Sequence, residues 1–137
     1  MAFRKENPIK APPTYSDFSA SFSRNVITSD VVRLADIDAV KRSVKNLIIT
    51  DKYERLLNPT IGAGISELLF EQMTPLTTIA IRDTIIQTLN EFEPRINIDT
   101  IDVTPDYDRN TYFVSIAFSL IRNEQVGTVE FLLNRIR

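Results

Sequence analysis

TPLTTIAIRDTIIQTLNEFEPRINIDTIDV, residues 74–103, changes its apolar period near its middle, and that change sets the fold class. In the first half Ile81, Ile85, Leu89 and Phe92 fall on one side of a helical repeat. Ile79 and Ile86 adjoin them, which predicts a helix from about residue 76 to residue 92. Pro94 closes it, because proline offers no N–H and its ring clashes with the preceding turn. From Ile96 onward every second residue is apolar: Ile96 and Ile98, then Ile101 and Val103, then Tyr112, Val114, Ile116, Phe118 and Leu120, then Val129, Phe131 and Leu133. These are three strands. PDYDRN at 105–110 and the pair Asn123-Glu124 separate them at hairpin lengths, so an antiparallel meander is the economical topology. The fold class is α+β, with helices packed on one face of a small antiparallel β-meander.

Upstream, residues 36–50 carry Ile37, Val40, Val44, Leu47 and Ile48 at helical spacing, with Asp36 placed to cap the N-terminus and Asp38 in the first turn. Lys41, Arg42 and Lys45 fall off that stripe and read as a solvated face. The loop at 51–64 holds Asn58-Pro59 and two of the three glycines, Gly62 and Gly64, so it should turn sharply. Residues 66–73 read as a short helix with Ser66 as its cap, and residues 17–32 as irregular. Residues 1–15, with Pro8, Pro12 and Pro13, read as an extended N-terminal arm that gains order against a partner. One domain, 16–137, follows it.

Composition removes whole classes of chemistry. The 137 residues contain no His and no Cys, which excludes imidazole acid–base catalysis, thiolate nucleophiles and the commonest transition-metal ligands. We expect no metal, no cofactor and no small-molecule substrate. No window is apolar enough to span a membrane, and the first residues lack the apolar run of a signal peptide, so the chain is expected to be soluble and intracellular when made. Residues 1–50 hold 8 basic and 5 acidic side chains, whereas residues 51–110 hold 5 and 11. Such an acidic middle argues against nucleic-acid binding, which needs a basic face.

A recognisable signature sits at Glu93-Pro94-Arg95. A helix closed by this triplet is followed by Ile96 and an acidic β-hairpin, and preceded by Glu67-Leu68-Leu69-Phe70-Glu71-Gln72-Met73-Thr74-Pro75-Leu76. Over residues 36–121 the chain resembles the baseplate wedge, or sheath-initiator, family of contractile-tailed phages, shared with type VI secretion and contractile bacteriocin baseplates. Two features depart from the pattern. Tyr53 stands where glycine is usual, so the turn there is expected to differ, and Ile61 stands where an aromatic residue is usual.

The resemblance implies a non-enzymatic structural protein of the virion tail baseplate, assembled in the host cytoplasm. It would stabilise the wedge core and offer a β-platform that initiates the tail sheath, its partners being other wedge proteins and sheath subunits. Glu93, Pro94 and Arg95 are the candidate wedge-core contact: Arg95 can form bidentate bonds to a carboxylate and Glu93 can accept from a basic group. The same two side chains can instead clamp the helix-to-strand turn within the chain. Val129, Glu130, Phe131, Leu132 and Leu133 form the candidate sheath-facing strand. The run from residue 125 to residue 137 has Glu130 as its interior charge and is expected to leave its outer edge uncovered, unless a segment near Phe18 or Val31 pairs with it. A lysozyme-like glycan-cleaving enzyme is the alternative. It would need a carboxylate pair, and Glu91/Glu93, Asp99/Asp102 and Asp106/Asp108 are the candidates. Asp106 and Asp108 lie in a predicted turn, where aspartate is common because it bonds its own backbone.

Overall fold

A computed structural model describes residues 13–136. Pro94 does close a helix: α3 (Pro75–Phe92) buries Ile81, Ile85 and Leu89 completely, and its last turn gives way to the meander. The helix starts at Pro75, a residue earlier than its apolar stripe, because Thr74 caps it by accepting the Thr77 N–H at 3.2 Å and Pro75 needs no donor partner in the first turn. The other elements are β1 (Ser16–Phe18), β2 (Arg33–Ala35), α1 (Ile37–Ile49), α2 (Ser66–Phe70), β3 (Ile96–Asp106), β4 (Thr111–Leu120) and β5 (Val126–Asn134). Strands β3, β4 and β5 form one antiparallel sheet in that order, and β1 and β2 form a separate antiparallel pair. This is the α+β arrangement expected, with α3 packed against β3 and α1 against β5.

The register explains a parity change in the sequence. Ile96 and Ile98 are even-numbered, whereas Ile101 and Val103 are odd-numbered, and an unbroken strand would place the two pairs on opposite faces. Pairing with β4 shifts between Ile98 and Thr100, so Asp99 is an extra residue in a bulge and Ile101 returns to the core. The core is completed by Val40, Val44 and Ile48 of α1 and by Tyr112, Val114, Ile116 and Phe118 of β4.

Several local expectations are corrected. Residues 17–32 are not irregular throughout: Phe18 pairs with Arg33 in the small sheet, and Arg24 bridges Val31. That small sheet does not add a strand to β5. Asp36 precedes α1 but its carboxylate turns away from the helix, accepting N–H bonds from Thr14 at 2.8 Å and Tyr15 at 3.3 Å. Ser66 is the first residue of α2 rather than its cap, and its hydroxyl donates to Asp51 Oδ2 at 2.6 Å. That helix ends at Phe70, three residues short of the predicted limit, because the Glu71 backbone extends toward the Thr74-Pro75 start of α3. Tyr53 has φ 67°, the left-handed region that glycine adopts most readily, so the backbone there takes the form a glycine would favour. Gly62 at φ 138° lies so close to Thr50 O that a Cβ would sit 2.6 Å from it. Of the arm, residues 1–12 lie outside the described residues; Tyr15 packs against the core.

Candidate docking surfaces

Glu93 follows the last residue of α3 and is 3% exposed, an unusual place for a charge. Pro94 restricts the chain between Glu93 and Arg95, and Arg95 folds back along the helix end. Its Nε donates to Glu93 Oε1 and its Nη2 to Glu93 Oε2 at 2.8 Å, a bidentate pair. Ser43 of α1 donates its hydroxyl to Glu93 Oε2 at 2.7 Å, tying the helix end to α1. The Tyr15 ring lies 5.2 Å from the guanidinium, within cation–π range. Hydrogen bonding to Glu93, outweighing the opposing effect of burial, pushes the Arg95 pKa above its ordinary value. The intramolecular clamp is the reading observed: Glu93 is occupied within the chain, while a third of the Arg95 side chain remains exposed. Ser43 and Tyr15 were not foreseen. Neither carries a sequence signal for this role, since a serine on a polar helix face and a tyrosine at an arm's end are ordinary.

Strand β5 is an edge. Its Val129, Phe131 and Leu133 face the core, whereas Glu130 and Leu132 are exposed. The direction of its backbone groups follows from β4. Leu120 donates to Gln125 O at 2.9 Å and accepts from the Glu124 N–H at 3.0 Å, so the even-numbered residues of β4 bond toward β5. Carried along the register, this makes the N–H and C=O of Thr128, Glu130 and Leu132 point away from β4. No strand among the described residues pairs with them.

The candidate carboxylate pairs sit in different surroundings. Asp106 Oδ1 accepts the N–H groups of Asp108 and Arg109 at 3.2 Å each, as a turn residue does. Glu93 is held in its ion pair, whereas Glu91 is exposed. Asp99 and Asp102 line an open groove of about 630 Å³ between α3 and β3, together with Arg82 and Asn90. Sequence reasoning also missed the loop after α1, where Leu56 and Leu57 are 97% and 93% exposed. Two adjacent leucines off the helical repeat were the available signal.

The comparisons with known proteins agree with the family resemblance and the fold. The family profile of "Baseplate wedge protein gp25" matches residues 35–125, and the chain belongs to that family. Among its relatives, the baseplate wedge protein gp25 of Enterobacteria phage T4 is 36% identical over 109 residues, covering 80% of this chain and 82% of that protein. Solved structures share the fold at lower identity. A protein of Geobacter sulfurreducens described as a tail lysozyme superposes with a TM-score of 0.67 at 18% identity, over 72% of this chain and 89% of that one. A chain of the anti-feeding prophage baseplate gives 0.61 at 18%, over 90% and 87%. A chain of a type VI secretion baseplate gives 0.54 at 16%, over 72% and 92%.

Proposed function

We propose that the chain is a structural component of a contractile-tail baseplate wedge in the virion, assembled in the host cytoplasm and acting by contact rather than by catalysis. Membership of the baseplate wedge family carries this reading. Other baseplate proteins are its partners. The triplet Glu93-Pro94-Arg95 serves the wedge core through the stiff, partly exposed Arg95 surface that the Glu93 and Ser43 bonds hold in place. The residues 1–15 act as an arm beside the single domain of residues 16–137, anchored by the Asp36 bonds to Thr14 and Tyr15. Strand β5 is the platform for the first sheath ring: its outward backbone groups, which no strand among the described residues pairs, accept an incoming strand of a sheath subunit by main-chain pairing, which is largely blind to side-chain identity. The enzymatic alternative has less support, because Glu93 is committed to Arg95 and Asp106 to its own turn.

Proline substitution tests the platform. Glu130→Pro and Leu132→Pro each remove an outward N–H and leave the bonds to β4 in place, so the isolated fold should lose little. Baseplates carrying either variant, each shown to be incorporated, are expected to support no sheath growth. Normal sheaths on both would reject the β5 platform.

A further inference from the structure

The helices cover one face of the three-stranded sheet, and no element among the described residues covers the other. Along its centre, β4 presents Ser115, Ala117 and Ser119, small side chains that form a shallow stripe. On one side of the stripe, β3 sets Asp102 directly across from Ser115, and Asp99 accepts the Ser119 hydroxyl at 3.5 Å. On the other side β5 sets Glu130 across from Ser115. Exposed Phe113 and Leu132, also paired across the strands, close one end. The three strands hold Asp99, Asp102, Asp106 and Glu130 and neither Lys nor Arg, and Arg82 of α3, a cation beside this rim, shares the groove at the β3 edge with Asp99 and Asp102.

We propose that this face docks an amphipathic α-helix of a protein partner, apolar along its underside and carrying Lys or Arg on both flanks. The dimensions fit. The acidic strands stand two strand spacings apart, about 10 Å, which is the width of a helix with its side chains. The stripe from Phe113 to Ser119 runs about 20 Å, the length of a helix of about 13 residues. Small side chains at the centre let a helix backbone approach closely, Phe113 and Leu132 supply apolar anchorage, and the carboxylates select the flanking charge. A second copy of this chain presenting the same face would set four carboxylates against four, and a nucleic acid would meet the same repulsion. Side chains of this face stand perpendicular to the sheet, whereas the β5 platform uses backbone groups in its plane, so Asp102→Asn and Ala117→Lys perturb this face while leaving the β5 backbone intact.

The probe is a labelled synthetic helix of about 14 residues built from Leu, Ala and Lys, with Leu on one face and Lys on both flanks; its control has Glu at every Lys position. Fluorescence anisotropy is measured against the intact chain, the double variant Asp102→Asn/Glu130→Gln, and Ala117→Lys, each checked by thermal melting. The Lys helix is expected to bind, to weaken as salt rises, to weaken about tenfold on the double variant and to be lost on Ala117→Lys, with the Glu helix silent. Absence of binding by the Lys helix, equal binding by the Glu helix, or affinity unchanged on the double variant would overturn the proposal. So would a dimer in sedimentation that Ala117→Lys dissolves, which would place a second copy on this face.

Discussion

Tyr112 carries its hydroxyl into the core, where no hydrogen-bond partner meets it among the described residues. Burial pushes its pKa up, so the fold favours the neutral phenol. An unfolded tyrosine ionises near about pH 10; the stability tied to the neutral phenol is therefore complete below that and is lost as pH rises through the higher folded value. Tyr112→Phe should be neutral or stabilising by about 1 kcal/mol at neutral pH and should flatten the alkaline loss. Urea midpoints at neutral and alkaline pH check this. The Glu93–Arg95 pair gives a second, asymmetric expectation. Arg95→Ala strands a buried carboxylate, whereas Glu93→Ala leaves a guanidinium that water can reach. Loss of Arg95 should cost about 2 kcal/mol and loss of Glu93 about 1 kcal/mol, read from thermal melts of both variants.

Strand β3 owes its core contact to one inserted residue. Asp99 is exposed, so Asp99→Ala should change stability by less than about 0.5 kcal/mol. Deleting Asp99 is a different perturbation, because it removes the bulge and turns Ile101 and Val103 toward solvent, or else forces the strand to slip against β4. Burying an isoleucine or valine contributes about 1.5–3 kcal/mol each, so the deletion should cost several times what the substitution costs. Denaturant midpoints of the two variants decide it, and equal effects would mean that the register is not set by the bulge.

The whole molecule combines a covered core with apolar residues left outside it. Leu56 and Leu57 project from the loop after α1, and Val26 and Ile27 from the loop between β1 and β2. Single exposed apolar residues are ordinary, but adjacent ones with more than nine-tenths exposure contribute nothing to the fold and favour association. Leu56→Ser combined with Leu57→Ser should therefore leave the melting temperature unchanged while raising solubility, measured by light scattering against concentration. A fall in melting temperature would show that the loop packs in solution.

The three helices, the three strands of the meander, the stop at Pro94 and the Glu93-Pro94-Arg95 signature were legible in the sequence. They rest on interactions between near neighbours: helical and two-residue periods, and a ring without an N–H. The Asp106 turn is local in this sense, whereas the Thr74 cap, equally local, was not read from the sequence. The tertiary structure alone decided which half of β3 points inward, since the bulge is defined by pairing with β4. It alone showed that β1 and β2 pair with each other and leave the outer edge of β5 without a strand partner among the described residues. The Glu93 environment belongs to the same class. Ser43 reaches Glu93 across 50 residues of chain, and Tyr15 meets Arg95 from a segment with no periodic signal. Contacts between residues distant in sequence depend on how elements pack, and packing follows from the whole set of apolar surfaces rather than from any one stretch.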